Sequence, residues 1–484
     1  MDEKRGAPSS YDFLWLSLAL LPLLFISLLL PLTPHDYWWY LRLGQDILRA
    51  GYVPSIETYS FTYAGTPVIY QPWLSAVIFR LAYSGGGMDF TFLLRALFIG
   101  AAYGLLWLWM RQLGAGPRLA AVLIIIAGLA GSNNWSFRPQ MFAYPLFTLT
   151  LVILWNWQTG KNKTAWFLPL IALLWANIHE SFLLLFLLEG AALVFGKGNR
   201  KTLTLVIAFT FLASLVTPYG MALWKSLSAY ALSPLTWDVS SEWLPPANLG
   251  WQMNIFFAWV LLLTLFASLS PRRPSKLEWV WLLGLLWMSF SGLRYVIWGL
   301  IIMAAFTANL LADWDLRWLD RPARSGHPVL NYALAVIFLF IPLVALPGAR
   351  ARLGIQSPPV ISADTPLAAT AWLSQHPELP GPLWSDLTFS SYLIFALPSR
   401  PVWVDTRFAL AYPAEQYQRF SQIAGASPNW QALLDRDNIN LLMISPQSEP
   451  SLLQAVAISG QWCRQYRDDV AVIFSRNRSG QSCP

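Results

Sequence analysis

Charge is scarce in this sequence. Lysine, arginine, aspartate and glutamate make up 12% of its 484 residues, against about 25% in an ordinary soluble domain. That shortage excludes a chain solvated mainly by water. With 56% hydrophobic residues and 27 tryptophans, lipid is the expected solvent. Cysteine is scarcer still. Cys463 and Cys483, both near the end, leave room for one disulfide in an oxidising compartment, and sequence does not decide whether it forms. Also missing are a glycine-rich phosphate loop, a nucleophile elbow, a CxxC pair and the His-Glu-X-X-His zinc spacing. The net charge of +7 sits in short connectors between apolar spans, a pattern that sets membrane topology and carries no nucleic-acid signature.

What is present is a series of apolar spans, near 13–33, 90–110, 119–131, 141–157, 165–176, 182–196, 202–217, 253–269, 277–292, 295–312 and 329–346. About 20 apolar residues cross a bilayer, so eleven transmembrane helices are expected. No small-residue cleavage site follows the first span, which reads as a retained helix. With the N-terminus in the cytoplasm, the inside connectors hold Lys4, Arg5, Arg111, Arg118, Lys161, Lys163, Lys197, Arg200, Lys201, Arg272, Arg273, Lys276, Arg317, Arg321 and Arg324, while the longer outside loops between spans hold Arg42, Arg49, Arg80, Arg138, Lys225 and Arg294, as the positive-inside rule requires. His35, Asp36, Arg138, Gln140, Asn177, His179, Glu180, Asp238, Glu242 and Arg294 then all fall on the outer side.

The first outer loop, 35–89, is too long for a simple connector. Tyr37 to Ala50 predicts an amphipathic interfacial helix, with Trp38, Leu41, Ile47 and Leu48 on one side and the aromatics that follow Asp36 at headgroup level. Gly51 ends it, and Trp73 to Tyr83 reads as a second segment along the membrane. After about Pro347 the composition turns ordinary and soluble. Val402–Val404, Asn440–Ile444 and Val470–Phe474 read as strands, and Pro413–Ile423 and Glu449–Ile458 as helices. The expected organisation is a transmembrane domain over 1–346 and an extracytoplasmic α/β domain over 347–484.

Ionisable residues beside apolar spans are costly and usually functional. Asp36, in His35-Asp36-Tyr37-Trp38-Trp39, stands where the first span ends. A carboxylate there either takes a proton from an acceptor hydroxyl or ligates a divalent cation; a helix cap, or an anchor paired with Arg42, is the alternative. Arg138, in Asn134-Trp135-Ser136-Phe137-Arg138, has a guanidinium that matches a lipid phosphate, or snorkels to headgroups. Trp175-Ala176-Asn177-Ile178-His179-Glu180-Ser181 is polar within an apolar hairpin. His179 and Glu180 are candidates for phosphate, sugar or, with Asp36, metal, and a structural network with Arg138 is the alternative. Asp238 and Glu242, between Trp237 and Trp243, suit an acceptor subsite or a solvated loop. Glu189 has no evident partner, and Asp405-Thr406-Arg407 fits either a small-molecule site or a surface turn.

The run from His35 to Gly44, followed by Gly51-Tyr52-Val53-Pro54, resembles the first outer loop of GT-C membrane glycosyltransferases. The Asp-aromatic-aromatic-X-Leu-Arg pattern is similar to that of the oligosaccharyltransferase catalytic subunit. Aminoarabinose transferases and protein O-mannosyltransferases share the wider plan. By motif the resemblance covers only about residues 33 to 66. It implies a polytopic GT-C-like α-helical membrane fold with interfacial helices in the first outer loop, and an outer soluble domain, which the strand and helix pattern above makes α/β. Asp36 takes the family's role of catalytic base or metal-site acid, His35 stands beside it, and Arg294 contacts phosphate. Many relatives have a second acid where Tyr37 stands, so a divalent cation (Mg or Mn) is implied only loosely.

The implied partners are membrane lipids, a polyprenyl-phosphate-linked sugar donor and an acceptor that is a glycan, lipid or protein. The implied place is a plasma (bacterial inner) membrane. The competing expectations are a non-catalytic GT-C-like scaffold and a lipid-carrier transporter in envelope assembly.

Overall fold

The computed structural model describes residues 9–231, 241–314, 327–407, 410–477 and 483. The helices of its first part are α1 (Ser10–Leu29), α2 (Tyr37–Ala50), α3 (Trp73–Gln112), α4 (Pro117–Gly131), α5 (Gln140–Gln158), α6 (Leu168–Ala176), α7 (Leu183–Phe195) and α8 (Arg200–Ser214). Then come α9 (Met221–Ala231), α10 (Gly250–Leu269), α11 (Lys276–Ser291), α12 (Val296–Leu311), α13 (Pro328–Phe340) and α14 (Pro347–Arg352). Each of the eleven apolar spans is therefore helical. Among the described residues, six helical stretches have the length and hydropathy to cross a bilayer: Ser10–Leu29, Trp73–Gln112, Pro117–Asn134, Gly250–Leu269, Leu293–Leu311 and Pro328–Ala345. The chain is an integral membrane protein. The other five spans form α5, α6, α7, α8 and α11, which are shorter or more polar, so eleven crossings are not established.

The chain divides into two compact units. One comprises Met1–Leu30, Gly85–Met221 and Ser240–Ser357; the other comprises Pro31–Ser84, Ala222–Val239 and Pro358–Pro484. In the first unit α1 begins with a capping box between Ser9 and Asp12, satisfying backbone donors that a helix start leaves open. Its far end is closed from outside. The buried Arg95 of α3 donates from Nε to Ser27 O at 2.6 Å and from a terminal nitrogen to Leu30 O at 2.6 Å. The same guanidinium lies 4.0 Å from the Phe137 ring centroid. A cation on terminal carbonyls complements the negative end of the helix dipole. Near the start of α1, Arg111 pairs with Asp12 at 2.9 Å, and Arg272 grips Asp313 and the Leu113 carbonyl. The helix ends carrying Arg111 and Arg272 are the opposite ends from those that carry Arg138, His179 and Arg294.

The second unit holds α15 (Leu367–Gln375), α16 (Leu387–Ala396), α17 (Ala414–Ala424), α18 (Trp430–Arg436) and α19 (Pro450–Ile458). Its strands are β1 (Leu383–Ser385), β2 (Leu441–Ile444), β3 (Trp462–Arg467) and β4 (Val472–Arg476), in the order β1-β2-β4-β3. β1 runs parallel to β2 and the remaining pairs are antiparallel. Cys463 and Cys483 are disulfide-bonded. Two expected strands and both expected helices are present. Val402–Val404, however, lies outside the sheet: Val402 makes a single parallel bridge to Ser60. That segment is apolar because the first loop covers it. β3 escaped notice because its outer half is polar and exposed, as an edge strand's can be.

The run Tyr37-Trp38-Trp39-Tyr40 is a further correction. All four residues are buried, and Trp38 packs on Tyr392 and Phe395 of α16, 4.9 and 5.4 Å between ring centroids. Expected as headgroup anchors, they are core. The 73–83 segment is the first part of α3, which breaks its helical backbone at Gly86 and Gly87.

Candidate active site

Four connections between helices meet at one end of the first unit. Arg138 comes from the α4–α5 turn, His179 and Glu180 from α6–α7, Glu242 from the segment before α10, and Arg294 from α11–α12. Arg138 pairs with Glu242, and Arg294 with Glu180 at 3.4 Å. Gln140 Nε2 donates to the Arg294 carbonyl at 3.1 Å, and the Arg294 guanidinium lies over Trp243, 4.1 Å from its centroid. His179 has a defined tautomer. The Ser181 N–H donates to Nδ1 at 3.1 Å, so the ring proton sits on Nε2, which faces Glu180 at 3.3 Å.

Burial pushes the His179 imidazole down to about 4, and the neighbouring arginines add to this while Glu180 opposes it. It is neutral at pH 7 and acts there as an N–H donor. Burial alone would raise Glu180, but His179 and Arg294 outweigh it and hold the carboxyl below its usual range. Two guanidiniums and two carboxylates balance. An incoming phosphate would therefore compete with Glu180 and Glu242 for donors suited to either anion.

The first loop belongs to the second unit. Asp36 is half-buried at the start of α2, in helical backbone geometry and with no side-chain capping bond. The indole N–H of Trp39 reaches its Oδ1 at 3.4 Å. Arg42 bonds Asp46 instead, at 2.9 and 3.0 Å. Neither alternative for Asp36, cap or Arg42 partner, is realised. His35 beside it is also half-buried.

Among solved structures the chain is similar to the archaeal oligosaccharyltransferase AglB from Archaeoglobus fulgidus, in complex with an inhibitory peptide and a dolichol-phosphate. The TM-score is 0.59 at 12% identity, covering 96% of this chain and 74% of that one. It is similar to ArnT from Cupriavidus metallidurans in the apo state (TM-score 0.57, 13% identity, 97% and 98% covered). It is similar too to the arabinofuranosyltransferase AftD from Mycobacteria (TM-score 0.53, 15% identity, 96% of this chain and 40% of that one). The chain has the GT-C fold. By sequence no family model and no curated protein matches it.

Within the GT-C fold the expected residues Arg138, His179, Glu180, Glu242 and Arg294 come together in one unit, and His35 and Asp36 lie in the other. Arg138 pairs with Glu242 and also acts electrostatically on His179 and Glu180. Asp238 lies outside the described residues. Among the described residues no group of three or more His, Cys, Asp or Glu could hold a metal ion, and Asp36 and His179 are in separate units. Among the described residues no donor set for the implied cation is assembled, and no step is derived through one. Glu189 does have a partner: Thr210 Oγ1 donates to it at 2.9 Å.

Asp405 and Arg407 form neither a surface turn nor a pocket. Arg407 is buried between Asp405 and Glu57, with Tyr70 and Tyr412 completing the shell. Burial would lower the guanidinium's pKa, yet Asp405 beside it, with Tyr412 and Tyr70, holds it raised. Glu57 also accepts the backbone N–H groups of Tyr59 and Ser60 at 2.7 and 2.8 Å. Arg95 and Glu57 were missed in the sequence. An arginine inside an apolar span was the available signal for the first; nothing local marks the second.

Proposed function

We propose that this protein is a membrane glycosyltransferase that moves a sugar from a polyprenyl-phosphate-linked donor to an acceptor on the outer face of the membrane. The observation that carries this is the meeting of Arg138, Arg294 and neutral His179 at one end of a GT-C helical unit. One neighbour of the same fold is solved with dolichol-phosphate and another with undecaprenyl phosphate. In the proposed reaction Asp36 takes the proton of the acceptor hydroxyl, and the oxygen attacks the anomeric carbon. The bond to the carrier phosphate breaks with inversion. The leaving phosphate gains negative charge, which the two guanidiniums and the His179 Nε2–H stabilise more strongly than the ground state. Glu180 and Glu242 hold those donors in place until the phosphate displaces them.

In this reading residues 1–346 are the transmembrane domain and 347–484 the extracytoplasmic one. The N-terminus is cytoplasmic, the membrane is a bacterial inner membrane, and the Cys463–Cys483 disulfide suits the oxidising side. The test is sugar transfer from an undecaprenyl-phosphate-linked donor by Asp36→Asn protein. We expect a fall of at least 100-fold, within the range typical of a lost general base. Wild-type turnover would remove Asp36 from the mechanism.

A further inference from the structure

We infer that the second unit carries a binding cleft for an anionic saccharide, and that this is how an acidic glycan acceptor is held. The cleft has a volume of about 380 Å³ and is lined by Phe61, Thr62 and Tyr63 of the first loop and by Arg419, Arg436, Asp437 and Asn438 of α17, α18 and the turn after it. That volume is at the small end of ligand sites and suits a short saccharide, not a folded partner.

The lining divides into spent and unspent groups. Thr62 Oγ1 donates to the Trp403 carbonyl at 2.7 Å. Asp437 accepts from the Trp403 indole at 2.8 Å and from Arg419 at 3.2 Å, so its charge is matched. Just outside, Asp435 is matched by Arg476. Among the described residues, the side chains of Tyr63, Arg436 and Asn438 make no hydrogen bond, and Arg436 is exposed. One uncompensated guanidinium therefore remains, together with a phenol, an amide and the Phe61 ring. A guanidinium forks onto a carboxylate. The phenol and amide both donate and accept, as sugar hydroxyls require, and an aromatic face takes the apolar face of a sugar ring. A neutral sugar would leave the guanidinium's charge unmatched, and a free phosphate, which can accept from the guanidinium, phenol and amide, would leave the ring unused. A uronic-acid-type glycan uses all four.

The inference rests on the proposed transferase activity only in calling the ligand an acceptor. Binding is measured without transfer, so either can fail alone. The full-length chain in nanodiscs is titrated with tetragalacturonate, with maltotetraose as its uncharged counterpart, and with inorganic phosphate. Tetragalacturonate is expected to bind at least tenfold more tightly than maltotetraose. Arg436→Gln should remove that preference, and Arg464→Gln, which deletes an exposed charge on β3, should leave it intact; melting curves verify both folds. The cleft is refuted if wild-type protein does not bind tetragalacturonate, or binds both saccharides equally. Equal losses in the two variants would mean only general charge attraction. Full displacement by equimolar phosphate would mean an anion site without saccharide recognition.

Discussion

Arg407 shows how few alternatives a buried charge has. Its guanidinium and the carboxylates of Glu57 and Asp405 are fully enclosed, and every one of them is hydrogen-bonded. Removing one partner strands the others without solvent, which typically costs about 3–5 kcal/mol. Arg407→Met is expected to lower the unfolding midpoint of the purified protein sharply, with Glu57→Gln less severe because an amide still accepts. A melting curve in detergent checks both.

His179 gives a pH signature at the same scale. Its pKa falls from an ordinary 6.5 to about 4 in the folded chain, so between those values the unfolded chain binds more protons. Stability thus rises with pH through that window and is lost as pH falls from about 6.5 toward 4, by at most about 1.4 kcal/mol per unit. The depressed Glu180 works in the same direction at lower pH. In His179→Gln the slope of the melting midpoint between pH 6.5 and 5 should flatten; an unchanged slope would place the titration elsewhere.

Among elements, α2 and the first part of α3 pack so closely that one glycine decides the contact. A Cβ at Gly44 would lie 2.1 Å from the Ala76 carbonyl oxygen and 2.7 Å from the Arg80 Cβ. In a solvated helix Gly→Ala is stabilising by about 1 kcal/mol. Here the sign reverses, and Gly44→Ala should destabilise by about 1–3 kcal/mol as two backbones are forced apart. Gly104, a helical position where a Cβ would meet nothing within 4 Å, is the uncrowded control, where the same substitution should not destabilise. Thermal unfolding of the two variants side by side separates packing from propensity.

For the whole molecule, the helix ends of the first unit differ in chemistry, one end holding Arg138, Arg294, His179, Glu180 and Glu242 together. If that end holds a carrier phosphate, protein purified from its native membrane should carry polyprenyl phosphate detectable by mass spectrometry. Arg138→Ala combined with Arg294→Ala should lose most of it. Equal lipid in the double variant would leave the cluster a structural network alone.

The sequence by itself determined the solvent and the helices. A charge content of 12% and repeated apolar spans act locally, and each expected span is a helix. The same local logic placed α2 at Tyr37–Ala50 with its stop at Gly51, a left-handed residue in the structure. It also picked out five of the residues that meet at one end of the first unit, because polar side chains at apolar helix ends are conspicuous. Partners were another matter. Arg138 and Glu242 are 104 residues apart, and Arg407 and Glu57 are 350 apart. Only tertiary packing decided those pairs, turned Tyr37 to Tyr40 from expected headgroup anchors into core, and closed the first loop over Trp403. Burial depends on what the rest of the chain brings alongside, which no local pattern encodes.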